Sequence, residues 1–136
     1  VQTCALPIYV ALTRTNDALK ILNAIVEDEE ASNTALLSAS GAYMQLGRFE
    51  DLERSLVRLV ESMPDNPEAL YDLAATQALL QKPSDAITNL RRALELDSQR
   101  EAPAPGAKTL RQRALEDGRF NGLRPMPEFR DVITGQ

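Results

Sequence analysis

At 136 residues the chain suits one domain with a real core, and it carries 15 Lys and Arg against 20 Asp and Glu. The resulting charge of -5 argues against nucleic acid or an anionic membrane surface as the main partner. His and Trp are absent and Cys occurs once, so the commonest general base and metal ligand are missing and no internal disulfide can form.

The first octet, VQTCALPI, lacks the basic start and long apolar centre of a secretory signal. With one choice of codons it back-translates to GTT CAG ACG TGT GCT CTT CCG ATC. That string resembles the end of a common short-read sequencing adapter. Residues 1–8 are therefore expected to be non-native, with native sequence from Tyr9, a longer natural protein upstream, and no biological role for Cys4. The competing reading is an authentic helix start, with Ala5, Leu6 and Ile8 apolar and Pro7 in a first turn.

Next comes TNDALKILNAIVEDEEAS, an apolar-periodic segment with Thr15 or Asn16 as the expected N-cap and a partner helix expected at residues 1–13. The segments that follow repeat. Set 34 residues apart, NTALLSASGAYMQLGRFEDLERSLVRLVESMPDN (33–66) and PEALYDLAATQALLQKPSDAITNLRRALELDSQR (67–100) match at Ala35/Ala69, Leu36/Leu70, Leu46/Leu80, Asp51/Asp85, Leu56/Leu90 and Arg58/Arg92. Each copy breaks in the middle, at Leu46-Gly47-Arg48 and at Gln81-Lys82-Pro83. The spacing predicts helices near 34–46, 49–62, 67–80 and 84–96. Walking back the same interval aligns Ala18-x3-Leu22 with Ala86-x3-Leu90, so residues 9–32 form a third, partial copy.

The second copy reads Leu70-x2-Leu73-Ala74-x2-Gln77, then Ala86-x3-Leu90, then Ser98. The first reads Leu36-x2-Ala39-Ser40-x2-Tyr43, then Leu52-x3-Leu56, then Pro64. Small residues at Ser40, Ala74, Ala86 and Ala93 permit close helix approach, and Leu56 and Leu90 fill the space between helices. This pattern resembles the tetratricopeptide repeat, departing from it in the missing Trp, in Gln77 for Tyr and in Leu52 for Ala. The resemblance implies an all-α right-handed superhelical solenoid of antiparallel hairpins.

Beyond Asp97 the rhythm breaks at SQREAPAPGA, a Pro/Ala-rich connector. Then KTLRQRALEDG reads as one helix with Leu110, Ala114 and Leu115 on one face and Gly118 as its stop. In RFNGLRPMPEFRDVITGQ, Pro127 opens a last short helix to about Ile133. Residues 101–136 thus read as connector plus capping helices, and the stretch from Leu70-Tyr71-Asp72-Leu73-Ala74 through Asp117-Gly118-Arg119-Phe120, Leu123-Arg124-Pro125 and Glu128-Phe129 resembles the end-of-group segment that closes some bacterial arrays. A solenoid needs such closure because its last repeat otherwise shows an apolar flank to water. A free linear binding motif is the alternative.

Nothing assembles an active site. Glu27-Asp28-Glu29-Glu30 lacks the spacing and central Gly of a calcium loop, and no phosphate loop, CxxC pair or nucleophile elbow is present. Asp51 and Asp85 read as charges favouring helix starts. Catalytic, cofactor and metal residues are therefore expected to be none.

The resemblance places recognition on the first helix of each hairpin: Leu37, Gly41, Met44 and Gln45 in one copy, and Glu68, Tyr71, Asp72, Ala75, Ala78 and Leu79 in the next. Leu37, Gly41, Tyr71 and Ala75 stand where chaperone-binding members carry a carboxylate clamp, so the expected ligand is an apolar or helical peptide anchored by Tyr71. The implied role is a protein–protein scaffold or adaptor in the bacterial cytoplasm or periplasm. The alternative is the regulatory or localising tail of an enzyme, such as a membrane glycosyltransferase or kinase, whose catalytic domain lies upstream. On this reading Tyr71→Ala weakens partner binding with little effect on helicity.

Overall fold

Gly47 and Gln81 stand 34 residues apart and both adopt left-handed backbone, with φ of 66° and 58°. In each case the helix before them ends in the same pair of hydrogen bonds. Arg48 N donates to Tyr43 O and Lys82 N to Gln77 O, both at 2.9 Å, while Gly47 N and Gln81 N donate to Met44 O and Ala78 O at 3.2 Å. This is a Schellman termination, which satisfies carbonyls orphaned at a helix end and turns the chain sharply. The repeat is thus legible in backbone geometry as well as in sequence.

The computed structural model describes the backbone of residues 2–135 and the side chains of residues 13–135. Its elements are α1 (Gln2–Glu27), α2 (Asn33–Gln45), α3 (Phe49–Ser62), α4 (Pro67–Leu79), α5 (Pro83–Ser98), α6 (Leu110–Glu116), a 3-10 turn (Gly118–Phe120) and α7 (Pro127–Thr134). The described residues are all-α, and helices consecutive in the chain pack against one another: α1 on α2, α2 on α3, α3 on α4, α4 on α5.

The repeat also sets the helix starts. Ser32 Oγ accepts from Ala35 N at 3.2 Å and Asn66 Oδ1 accepts from Ala69 N at 3.1 Å, so equivalent residues cap α2 and α4. Pro67 and Pro83 occupy the first turn of their helices, where the missing N–H costs nothing. Within the first hairpin, Ser40 Oγ lies 2.7 Å from Ser55 Oγ and the two hydroxyls lie 2.8 and 3.1 Å from Leu36 O, so one donates to the carbonyl and the other to its neighbouring hydroxyl. Two small hydroxyls let α2 and α3 approach closely without leaving a buried polar atom unpaired.

Two apolar clusters result. One gathers Val26, Leu36, Ala39, Tyr43, Leu52, Leu56 and Leu59 with Ala69 and Leu73 of α4. The other runs from Leu70, Tyr71 and Ala74 through Leu90 and Leu94 to Leu110, Phe120, Phe129 and Val132. Val60 packs against both.

Three expectations need correction. The partner helix at 1–13 and the cap at Thr15 or Asn16 do not exist as separate features, because α1 is one helix of 26 residues. No Gly or Pro lies between Thr13 and Asn16 to supply the left-handed turn seen at Gly47 or the helix restart seen at Pro83, so the helix continues. Residues 2–8 share its backbone; the side chains of the octet, Cys4 included, fall outside the described residues. Leu115 is 51% exposed and does not share the buried face of Leu110 and Ala114. Helix α6 ends at Glu116, before Gly118, and begins with a reciprocal cap between Thr109 and Gln112 that the sequence reading missed.

The paired turns give a direct test. No described atom lies within 4 Å of a Cβ placed on Gly47, so Gly47→Ala should cost about 1 kcal/mol through backbone strain alone. Gln81→Gly should relieve the same strain and stabilise by up to about 1 kcal/mol. Opposite shifts in denaturant midpoint check both.

Candidate interaction surface

The α2 residues expected to recognise a partner lie at the surface. Leu37 is 52% and Met44 37% exposed, with Gly41 and Gln45 also open to solvent. Their spacing of four, three and one residues places them along one flank of α2. Gly41 is unusual. It sits inside a helix without left-handed backbone, and no described atom lies within 4 Å of a Cβ built on it.

The equivalent flank of α4 differs because the chain itself covers it. Tyr71 and Ala75 are wholly buried, Asp72 and Ala78 are half-buried, and only Glu68 and Leu79 are exposed. Tyr71 is therefore no surface anchor. Its ring meets Phe120 edge-on, with centroids 5.5 Å apart and planes at 79°, and Phe120 in turn lies 5.9 Å from Phe129. Sequence reasoning missed this contact because it joins residues almost fifty positions apart through a segment outside the repeat.

A polar lock surrounds that aromatic stack. Tyr71 Oη donates to Asp117 Oδ2 at 3.0 Å. Arg119 donates to the same carboxylate through Nη2 at 2.7 Å and Nε at 3.1 Å, and Nη1 reaches Asp72 Oδ1 at 3.4 Å. Asp117 Oδ1 also accepts from Arg119 N at 3.0 Å, which starts the 3-10 turn. The Arg113 guanidinium lies 4.8 Å from the centre of the Tyr71 ring, on which it makes a cation–π contact.

Burial alone would raise the Asp117 pKa, but its bonds from Arg119 and Tyr71 prevail and hold it below the ordinary 3.8. Burial, followed by the hydrogen bond to Asp117, pushes the Tyr71 phenol well up. Arg119 also stays charged: burial opposes this, and Asp117 outweighs it.

Beside the lock, α4, α5 and α6 enclose a cleft of about 600 Å³. Arg100 crosses its edge, donating to both Glu68 oxygens at 2.6 and 2.8 Å, and this pairing lowers the Glu68 pKa. Asp97 Oδ2 accepts from Leu110 N at 2.9 Å and fixes the start of α6. The cleft's carboxylates and guanidinium groups thus serve mainly to tie the connector to the repeats. At the other end, the acidic run after α1 sits where Arg58 Nη1 donates to Val26 O and Asp28 O, at 2.6 and 2.7 Å. No group of three or more potential metal-ligating side chains occurs among the described residues. No described helix is long and apolar enough to cross a membrane.

Since Tyr71 is a core residue, Tyr71→Ala should cost about 3–5 kcal/mol of stability, visible as a large fall in denaturant midpoint. Asp117→Asn should cost about 2 kcal/mol at neutral pH by leaving Arg119 short of its charged partner. The sign of the pH dependence follows from the depressed carboxyl. Its contribution is fully present above the unfolded-state value near 3.8 and is lost as pH falls through the lower folded-state value. The gap between wild type and Asp117→Asn should therefore narrow in acid, as denaturant melts at neutral and low pH will register.

Compared with protein-family models, with curated proteins and with solved structures, the chain matches none of them.

Proposed function

We propose that the chain is a tetratricopeptide-type helical array acting as a protein–protein interaction surface, and that the α2 flank binds an apolar or amphipathic helical peptide. The matched turns at Gly47 and Gln81, the matched caps at Ser32 and Asn66 and the sequential packing of α2 to α5 support the repeat reading. A right-handed solenoid is the arrangement such repeats adopt when stacked.

The observation that carries the binding reading is Gly41. A glycine inside a helix costs about 1 kcal/mol relative to alanine. Here no described neighbour requires it, since a Cβ would meet open space. Close approach by a second chain supplies the reason. Leu37 and Met44, one turn to either side, offer the ligand exposed apolar contacts, and Gln45 offers hydrogen bonds. Leu79, 40% exposed at the end of α4, carries apolar character into the second hairpin, whereas Tyr71 and Ala75 are wholly buried and take no part.

Substitution at Gly41 separates binding from folding. Gly41→Ala should stabilise by about 1 kcal/mol, and Gly41→Leu should fold normally while filling the flank. Peptides selected by the wild-type chain from a displayed library of helical sequences should bind Gly41→Leu at least about tenfold more weakly. Enrichment no greater than on an unrelated helical protein, or equal binding to both forms, would remove the proposal.

A further inference from the structure

The turn that carries Phe120 into the core runs on into Asn121-Gly122, and Asn121 is the one asparagine of the chain that precedes a glycine. Both residues are exposed, although Phe120 and Leu123 on either side are buried. Asn121 N donates to Gly118 O at 3.1 Å, and Leu123 N and Arg124 N donate to Phe120 O at 2.9 and 3.2 Å. Gly122 N alone in this turn donates to no acceptor among the described residues. Arg124 Nε donates to Asn121 Oδ1 at 2.9 Å, which draws electron density from the side-chain carbonyl carbon. The fold itself asks for no glycine at 122. No described atom lies within 4 Å of a Cβ built there, and its backbone is not left-handed.

We infer that Asn121 is a site of spontaneous self-modification, where the chain closes a succinimide ring and ages into aspartyl and isoaspartyl forms. Gly122 N attacks Asn121 Cγ and gives up its proton to solvent, while Arg124 meets the charge developing on Oδ1. Nδ2 takes a proton from solvent and leaves as ammonia. Water then opens the ring at either carbonyl. Addition at Cγ restores the main chain and leaves a carboxylate side chain. Addition at the main-chain carbonyl leaves the chain running through Cβ and Cγ, lengthened by a methylene. Glycine suits the attacking position because no Cβ crowds its nitrogen. The gate is torsional. At ψ −37° Asn121 holds Gly122 N away from Cγ, so closure waits on rotation within the turn. Gly122 N has no bond to lose in that rotation, and exposed turns open at low cost. The two products differ in consequence. The aspartyl form keeps an acceptor for Arg124. The isoaspartyl form lengthens the backbone between Phe120 and Leu123 of the apolar cluster and shifts Arg124, which also donates to Asp117 O at 3.1 Å. It therefore loosens the lock on Tyr71.

Storage of the full chain at physiological temperature and mildly alkaline pH, followed by peptide mapping, tests this. Asn121 should gain the mass of an amide-to-acid conversion at least about tenfold faster than any other asparagine. Enzymatic carboxyl methylation should detect an isoaspartyl share at the same position. Gly122→Ala should keep its denaturant midpoint, since a Cβ there meets open space, and should convert at least about tenfold more slowly. The isoaspartyl fraction, isolated from the stored sample, should unfold at lower denaturant than Asn121→Asp, whose midpoint should match that of fresh wild type. Equal conversion across the asparagines, no conversion at Asn121, or a rate indifferent to Gly122→Ala would overturn the site. An isoaspartyl fraction as stable as Asn121→Asp would overturn its effect on the lock.

Discussion

Helices of 13 to 16 residues, the lengths of α2 to α5, are marginal on their own in water. Each persists here because an apolar flank is buried against the helix before it and another against the helix after it. That mutual burial is the constraint from which the remaining features follow. It requires sharp reversals, which the left-handed residues Gly47 and Gln81 provide. It requires close approach within the hairpin, which Ser40 and Ser55 permit in the first copy and Ala74 permits in the second. It also leaves two ends, each with only one neighbour where interior helices have two.

The two ends are resolved differently. At the C-terminal end the chain spends α6, the 3-10 turn and α7 on covering α4 and α5. The cover combines an apolar wedge of Phe120, Leu123, Phe129 and Val132 with the Asp117–Arg119–Tyr71 network. The wedge supplies the larger share of the stability, at about 1.5–3 kcal/mol for each large buried side chain. The network fixes where the wedge sits, since every buried side-chain polar atom described has a hydrogen-bond partner. At the α1 end the described residues include no comparable cover, and Ile21 stands open to solvent.

The central hairpins were legible in the sequence because their information is local and repeated. Apolar spacing, Gly47 and Pro83 set the helices to within about two residues of their observed ends. Ser32 and Asn66 could have been found by the same self-comparison, since both precede a helix at the same interval and carry an accepting side-chain oxygen. The continuity of α1 was misjudged by extending the repeat into a stretch that lacks its turn residues. Tyr71 was misjudged for another reason. Helical spacing reports which flank a residue occupies, and only the fold of residues 117–129 decides whether that flank meets solvent or Phe120. Half of the expected recognition surface was thus unreadable without the tertiary contact, while the α2 half is as open as its spacing implied.

That asymmetry bears on how the molecule could recognise anything. With the α4 flank largely occupied by the chain's own C-terminal segment, the open apolar contacts on the helices that begin each hairpin are concentrated at Leu37 and Met44 on α2, with Leu79 beyond them. A surface of this size fits a short peptide contact, which is weak when made alone.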